Sequence, residues 1–367
     1  MAPVVSLANS SRMGLRVCMG VLRPARRAVE GSEVDIGPAS ATAKGQCPAK
    51  ASQPPQQTGD DDGDACYTTP NRSARGPPLP FPEFDPVLIS IGPFPIRWYA
   101  LAYVAGIVLG WWYASKLIKT ERLWAPARPP LTPNQLDDLV LWIVLGIILG
   151  GRLGYALFYK PAMYGQLFTG QTLGERFELF QLWTGGMSFH GGFLGVCLAI
   201  VLYARSQKID MLRLGDLVAP VVPIGLMFGR LANFINGELW GRETTVPWAV
   251  RFCNARIEQM YGFCPAGNEP RHPSQLYEAG LEGLLLLGLL SLGIWKIGLL
   301  KKPGYITGLF LLFYGLSRAA LENVRQPDVG MPDFPLGLTM GMMLSIPMIL
   351  VGGWLVWRAW SRPPVRG

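Results

Sequence analysis

Seven long runs of apolar residues follow one another from residue 96 to residue 360, separated by short polar segments. Most are about 20 residues long, the length at which a helix crosses the ~30 Å hydrocarbon core of a bilayer. The pattern therefore predicts an all-α fold, a polytopic membrane bundle of about seven transmembrane helices. The predicted spans are Ile96–Ile118, Asp138–Tyr159, Met187–Arg205, Gly215–Asn236, Leu276–Ile297, Gly304–Asn323 and Leu338–Trp360.

Residues 1–80 have a different composition, rich in Ala, Pro, Ser, Gln and Gly, with the acidic run GDDDGD at Gly59–Asp64. Such a segment has too few large apolar residues to bury a core of its own. We expect residues 1–80 to be a disordered extension or to reflect a misassigned start codon. Residues 81–362 are then the transmembrane domain.

The composition agrees with a membrane protein. The chain is 50% hydrophobic and 16% charged, whereas soluble domains average about 25% charged residues. Its net charge of +8 does not indicate nucleic-acid binding, because the basic residues are spread among short segments between the spans and form no basic stripe.

The distribution of Lys and Arg predicts the orientation in the membrane. Basic residues concentrate between spans one and two, three and four, five and six, and after span seven. Cytoplasmic segments carry such an excess. We therefore expect the N-terminus outside and the C-terminus inside.

Polar residues within the spans gather at the ends that this orientation places outside. Ionisable residues are costly in a membrane and usually functional there, so their common depth predicts a site near the outer leaflet. The residues concerned are Arg97, Tyr99, Arg152, Tyr155, His190, Arg230, Asn233, Asn236, Tyr277, Glu278, Glu282, Tyr314, Arg318, Glu322 and Arg325.

The fourth span ends in the run GRLANFINGELWGR, from Gly229 to Arg242. Arg230 and Asn233 are three residues apart and share a helical face. An arginine fork beside amides can bind an anion such as phosphate. The alternative is an arginine that snorkels and asparagines that join helices. The polar residues that continue to Arg242 favour the anion site.

The sixth span carries a polar stripe of Tyr314, Arg318, Glu322 and Arg325. The spacing allows Glu322 to pair with both arginines. One interpretation is a neutralised stripe that holds the bundle together. We expect the stripe to do this and also to present Arg318 to a ligand, with Glu322 orienting the arginines.

The chain has two histidines, and they differ in setting. His190 lies among glycines in GGMSFHGGFLG, where backbone can approach closely, and is a candidate general base. The alternative is a hydrogen-bonded interface histidine. His272, in RHPSQLYE, precedes a proline at a predicted helix start. We expect it to be structural, with Gln275, Tyr277 and Glu278 as possible walls of the site.

Metal and cofactor chemistry are not indicated. Two histidines and six cysteines without a CxxC pair do not form a usual metal site, and the nucleophile-elbow, zinc-protease and P-loop motifs are missing. Cys253 and Cys264 share one loop and can form a disulfide if that loop faces an oxidising compartment.

These residues resemble a known family, the bacterial phosphatidylglycerol–prolipoprotein diacylglyceryl transferases. The run from Gly229 to Arg242 is similar to the family signature Gly-Arg-x-(Gly/Ala)-Asn-Phe-x-Asn-x-Glu-x-x-Gly. FPEFDPV, WYALAY, GGRLGY, GGMSFHGG, RHPSQLYE and YGLSRAALENVRQPD also look like that family and occur in its order. The resemblance covers roughly residues 81–360.

The resemblance implies a reaction and its partners. A diacylglyceryl group moves from phosphatidylglycerol to the lipobox cysteine thiol in the signal peptide of a prolipoprotein, and glycerol phosphate leaves. The setting is the bacterial inner membrane, with the site at its outer leaflet, and no cofactor is implied. The oligomeric state does not follow from the sequence.

The resemblance also suggests roles at the matching positions. His190, Arg230, Tyr314 and Arg318 form the expected catalytic group. His190 is the candidate base, with an electrostatic or hydrogen-bonding role as the alternative, and the arginines hold the leaving phosphate. Asn233 and Tyr99 are expected to bind the head group, Glu238 and Glu322 to orient arginines, and Gly241 to permit close backbone approach. The remaining expected substrate-binding residues are Asn236 and Arg325.

Two alternatives remain distinct from a transferase. A transporter of an anionic solute also needs intramembrane arginines, but it predicts polar residues at the midplane and an inverted repeat, and the sequence has neither. A structural scaffold predicts that substitution of Arg230 or His190 lowers stability without affecting turnover.

Overall fold

The computed structural model describes residues 78–92, 94–182, 185–327 and 334–362. The expected disordered extension therefore lies outside the described residues, apart from its last three positions. The strands are β1 (Leu79–Pro80), β2 (Val87–Ile91), β3 (Phe94–Arg97) and β4 (Val250–Arg251). The helices are α1 (Trp98–Lys119), α2 (Pro133–Phe158), α3 (Ala162–Thr169), α4 (Leu173–Arg176), α5 (Phe189–Ser206), α6 (Met211–Val218), α7 (Val222–Asn236), α8 (Ala255–Tyr261), α9 (Ser274–Glu278), α10 (Leu286–Leu292), α11 (Tyr305–Leu321) and α12 (Met340–Trp360).

The helical membrane fold predicted from the apolar runs is confirmed. In the described part of the chain, six helical stretches are long and apolar enough to cross a membrane. They are α1, α2, α5, the α6–α7 pair, the continuous helix from Ser274 to Ile297, and α12. The remaining predicted span corresponds to α11, an apolar helix of 17 residues.

The helix from Ser274 to Ile297 is not uniformly α-helical. π-Helical turns at Ala279–Leu285 and Gly293–Ile297 alternate with α9 and α10. Such turns occur frequently at functional sites. The first of them follows Glu278 and contains Glu282, and the side chains of both glutamates are fully buried.

The main apolar core joins α1, α6, α10 and α11 at the end of the bundle remote from these glutamates. Leu117, Leu214, Leu290 and Ile306 are completely buried there. Buried Asp216 accepts hydrogen bonds from the backbone nitrogens of Gly304 (2.6 Å) and Thr307 (2.8 Å). A carboxylate of α6 therefore satisfies the orphan donors at the start of α11.

Helices α2 and α5 approach each other closely through glycines. Gly146, Gly150 and Gly154 of α2 face Gly191 and Gly195 of α5. A Cβ added at Gly150 would lie 2.8 Å from the Cα of Gly195, so the two backbones are in contact. This packing fixes the start of α5, and with it the position of His190.

A small subdomain follows α7 and has its own core of Phe81, Val250, Phe252, Ile257 and Ala266. Strand β1 pairs in parallel with β4 across this core, which attaches the first described residues to the subdomain. A disulfide joins Cys253 to Cys264, the pairing that their shared loop had made possible.

Candidate active site

Three arginines converge on one carboxylate, that of Glu278 at the end of α9. Its Oε2 lies 2.7 Å from Arg230 Nε of α7, and its Oε1 lies 3.2 Å from Arg318 Nη1 of α11. The Nε of Arg325, just beyond α11, is 3.7 Å from the same Oε1. Glu278 thus connects residues of three chain segments that are remote in sequence.

Glu322 supplies a second carboxylate. We call Arg230, Arg318, Arg325, Glu278 and Glu322 together the charge cluster. Its Oε2 is 3.1 Å from Arg318 Nη2 and 4.0 Å from Arg325 Nη1. These are the two ion pairs that the spacing along the sixth span predicts. On the other side, Gly341 of α12 leaves room for the Glu322 carboxylate, because a Cβ at Gly341 would come within 2.7 Å of its carboxyl carbon.

Glu282 and Tyr314 border the cluster on its deeper side. Tyr314 and the arginines are close enough to Glu282 to interact electrostatically with it. Glu282 is fully buried, yet neither of its carboxyl oxygens has a hydrogen-bond partner in the described part of the chain. Glu282 therefore differs from Glu278, whose oxygens contact guanidinium groups.

The cost of this arrangement indicates a purpose other than stability. Buried ion pairs lose solvation that their mutual attraction often fails to recover, so they are poor stabilisers compared with apolar packing. Among the described residues, the ion pair recorded for Arg230 uses Nε, although a guanidinium has five N–H donors. Its terminal amino groups make no hydrogen bond recorded there, and the Arg230 and Arg318 side chains keep 17% and 14% of their surface exposed.

The polar end of α7 forms a network beside the cluster. Helix α7 ends at Gly237, whose φ of 68° is the left-handed conformation usual after a helix. The chain then folds back, and Glu238 Oε1 accepts hydrogen bonds from Asn233 Nδ2 (2.9 Å) and Asn236 Nδ2 (3.3 Å). Tyr99 of α1 is close enough to Asn233 to interact with its side chain, and the Tyr99 hydroxyl accepts a hydrogen bond from Tyr103 (3.5 Å).

This network differs from the expectation for Glu238. Its carboxylate was expected to orient an arginine, but its recorded partners are the two asparagines. The reason is the reversal at Gly237, which turns the carboxylate towards the last turn of its own helix. Of the two expected orienting glutamates, Glu322 contacts arginines, whereas the side-chain contacts of Glu238 recorded among the described residues are with asparagines.

Gly241 lies where three stretches of backbone meet. Its N–H donates to the His272 carbonyl (2.9 Å), and it forms an antiparallel bridge with Arg325. A Cβ at Gly241 would lie 2.8 Å from the His272 oxygen. The close approach expected at Gly241 is therefore between Gly241 and other segments of the protein's own backbone. This packing holds the main chain of Arg325 next to the cluster.

The charge cluster and the Asn233 network occupy the positions that carried the sequence resemblance, and comparison with known proteins agrees. The model of the prolipoprotein diacylglyceryl transferase family matches residues 86–358. The chain belongs to this family. The resemblance inferred from the sequence motifs is thereby confirmed.

Relatives from several bacteria match the transferase domain. The phosphatidylglycerol–prolipoprotein diacylglyceryl transferase of Caulobacter sp. (strain K31) is 60% identical over 291 residues, which cover 77% of this chain and 95% of that protein. The Bradyrhizobium diazoefficiens enzyme of the same name is 52% identical, with 75% and 91% covered. The Brucella anthropi enzyme is 49% identical, with 77% and 94% covered.

His190 is exposed at the first turn of α5, beside Phe189. Within the described ranges it makes no recorded ion pair or hydrogen bond to Arg230, Arg318 or Glu278. Helix α5 packs mainly on α2, whereas the three ion pairs of Glu278 come from α7, from α11 and from the residues just beyond α11.

Arg152 fixes the chain that leads to His190. This buried arginine of α2 donates to the carbonyls of Leu179 (2.9 Å), Glu178 (2.6 Å) and Gly186 (3.0 Å), and also to that of Gly185. These contacts show Arg152 holding backbone in place. The sequence gives no local signal for them, because the acceptors named here are main-chain atoms.

His272 also serves a structural contact, as its sequence position suggested. Its Nδ1 lies 3.3 Å from the Tyr277 hydroxyl, which accepts a hydrogen bond from Trp248 Nε1 (2.6 Å). Burial lowers the pKa of His272 below its usual value, because removal from water disfavours the charged imidazolium.

One group of metal-ligand residue types lies in the subdomain that follows α7. Cys253, Glu258 and Cys264 are close together, but the two sulfurs are joined as a disulfide. Cysteine binds metals as the thiolate, so this group is not a metal site in the disulfide form.

Proposed function

We propose that the charge cluster binds the phosphate of phosphatidylglycerol during diacylglyceryl transfer. The chain is a prolipoprotein diacylglyceryl transferase by family. Its reaction joins a diacylglyceryl group from phosphatidylglycerol to the thiol of the lipobox cysteine. A carbon–sulfur bond forms, the bond between that carbon and the phosphate oxygen breaks, and glycerol phosphate leaves.

The convergence of Arg230, Arg318 and Arg325 on Glu278 is the observation that carries this assignment. Negative charge develops on the departing phosphate, and cations held in a site of low dielectric stabilise that charge strongly. Arg230 and Arg318 are the partly accessible members and contact the phosphate directly. Glu278 and Glu322 hold the guanidinium groups in place, so little reorganisation accompanies the reaction.

Residues outside the charge cluster are proposed to bind the lipid head group and to activate the attacking thiol. Asn233, Asn236 and Tyr99 bind the glycerol head group, since amides and hydroxyls match its hydrogen-bonding groups. The attacking thiol is weakly nucleophilic until it loses its proton. His190 is the proposed base, and its exposure at the start of α5 leaves it open to a peptide that approaches from the bilayer.

The membrane setting completes the proposal. The multi-pass fold brings together the ends of α7, α9 and α11, and the Lys and Arg distribution assigns these ends to the outside. The site then faces the outer leaflet of the bacterial inner membrane. There it meets both phosphatidylglycerol and the signal peptide of a translocated prolipoprotein.

The test is transfer to a synthetic lipobox peptide. Purified protein is incubated with phosphatidylglycerol and the peptide, and the peptide is weighed by mass spectrometry. We expect a mass gain of one diacylglyceryl group. Arg230→Ala, Arg318→Ala and His190→Ala should each reduce the rate at least ~100-fold, the usual cost of removing one electrostatic or acid–base contribution.

Arg122→Ala is the matched control, because Arg122 is an exposed arginine in the turn after α1, on the side assigned to the cytoplasm. It should leave the rate unchanged. If the variants keep full activity and lose only thermal stability, the scaffold interpretation of these residues replaces the catalytic one. An unmodified peptide beside an active relative would refute the assignment.

A further inference from the structure

We propose that the connection between α2 and α5, residues 159–182, is a membrane-surface element that binds the bilayer through an exposed apolar face. We call these residues the connecting segment; they include α3 and α4. The inference requires that α2 and α5 cross a bilayer, and it does not depend on the transfer reaction.

One face of the connecting segment packs on the bundle. Met163 of α3 is buried against Ala156 of α2 and Leu179. The Tyr164 hydroxyl donates to the Leu153 carbonyl of α2 at 2.9 Å. These contacts attach the segment to the end of α2 and determine which side of α3 faces outwards.

On the outward side, large apolar side chains of the segment are exposed, and the described residues do not cover them. Phe168 is 85% exposed and Leu173 is 74% exposed, and Phe177 and Phe180 are also exposed. The exposed large apolar side chains of the segment thus outnumber the three residues buried on its packed side, Ala156, Met163 and Leu179. A face of this kind is unfavourable in water and marks a contact with a membrane or a protein.

Recorded contacts engage several charges and polar groups of the segment. Arg176 Nε donates to the Gly170 carbonyl (2.7 Å), and Lys160 Nζ pairs with Glu178 at 2.5 Å. Helix α3 itself has the sequence AMYGQLFT and contains no charged residue. Helix α3 therefore brings no charged side chain to the boundary between head groups and acyl chains, where burying a charge is costly.

The identity of the partner follows from continuity with the spans. The chain enters the segment from the exposed residues Leu157 and Phe158 at the end of α2, and leaves it towards the exposed Phe189 and Phe193 of α5. In a bilayer those residues face lipid. The uncovered face continues that surface at the level where the spans end, and aromatic side chains are enriched at this level. Lipid is therefore the partner.

Photo-crosslinking in nanodiscs of phosphatidylglycerol and phosphatidylcholine tests the proposal. The variant is Phe168→p-benzoylphenylalanine in the full chain, irradiated without peptide substrate and weighed intact. We expect the mass of one phospholipid to be added. Leu167→p-benzoylphenylalanine is the matched variant, because Leu167 is the neighbouring α3 residue on the packed side; it should react within the chain and gain no lipid.

Leu157→p-benzoylphenylalanine, on the lipid-exposed side of α2, is the positive control. The proposal is overturned if the Leu157 variant takes up lipid and the Phe168 variant does not, whether the latter stays unmodified or couples to a second polypeptide. If the Phe168 variant does not fold, Leu173 carries the same probe with the same expectation. Crosslinking is measured without the transfer reaction. Its result can therefore be interpreted even if the transferase assignment fails.

Discussion

Glu278 determines the charge balance of the site, because three guanidinium groups contact its two carboxyl oxygens. Glu282 lies four residues further along the same helix and is equally buried, but among the described residues no ion pair is recorded for its carboxylate. Two similar side chains in one helix therefore have different electrostatic environments, and substitution should separate them.

Glu278→Gln removes the charge that the three arginines share. We expect the folded protein to lose about 3–5 kcal/mol of stability, the usual cost of leaving buried charges unpaired. Transfer activity should fall at least ~100-fold, because the arginines no longer hold the geometry for phosphate. Thermal unfolding in detergent and the peptide mass assay measure the two effects.

Glu282→Gln is the control for this substitution. It has the same change in charge and nearly the same shape, but it removes no recorded ion pair. We expect activity within about tenfold of the parent and a smaller loss of stability. Equal losses in the two variants would contradict the central role of Glu278.

His272 should make the protein less stable in acid. Its pKa is lowered in the folded state, so the unfolded chain binds the proton more readily and stability falls as the pH falls. The contribution of His272 is complete above the unfolded pKa of about 6.5 and is lost as the pH drops through the folded pKa. His272→Gln should therefore show a smaller decrease in Tm between about pH 7.5 and about pH 5.

Asp85 does not disturb that comparison. Its pKa is lowered by a hydrogen bond from Arg256, so it weakens the fold only below about pH 5, outside the range compared. The difference between the two pH profiles then belongs to His272. Parallel profiles would mean that burial of this histidine has no effect on stability.

At the scale of elements, the spacing of residues predicts contacts within one helix well. It predicts contacts between different helices poorly. The pairs Arg318–Glu322 and Glu322–Arg325 follow from helical periodicity and are present. Glu278 was predicted only as a possible wall, since its arginines come from other helices. The π-turn after it also lacks a sequence signal, because packing against neighbouring helices decides such turns.

The contact between α2 and α5 gives a prediction at this scale. Gly195→Ala should push the helices apart, since a Cβ there would lie 2.9 Å from the Cα of Gly150. We expect a loss of about 1–3 kcal/mol, typical of overpacking, and lower activity because His190 begins α5. Thermal unfolding and the transfer assay detect both.

Gly192→Ala is the matched substitution on the same helix. Its added Cβ would first meet the Ile147 carbonyl oxygen at 3.6 Å, an ordinary contact distance. Alanine is also the better helix former, so stability should be unchanged or slightly higher. If both alanine variants behave alike, close glycine packing does not determine this interface.

At the scale of the whole molecule, the apolar runs predict the seven helical segments with ends that differ by a few residues. The largest difference is α2, which begins at Pro133 and not at Asp138, because Thr132 and Gln135 form a capping box there. The interruption between α6 and α7 and the short helices α3 and α4 were not predicted. Their apolar residues do not form runs long enough to stand out.

The orientation of the bundle is open to a direct test. In a variant with Ser at Cys18, Cys47, Cys66 and Cys197, a single cysteine is introduced at an exposed position, Gln207 or Thr245. An impermeant maleimide added to spheroplasts should label Thr245→Cys at once and Gln207→Cys only after lysis. The reverse order would invert the assigned topology.

Glu278 also has a consequence for the speed of turnover. It holds Arg230 through Nε and Arg318 through Nη1, so it stays in place when a phosphate meets the other N–H groups. Its negative charge then lies close to that of the phosphate and offsets part of the attraction from the arginines. The departing glycerol phosphate is therefore held less tightly than three unopposed arginines would hold it. A site without this nearby charge would release its product more slowly.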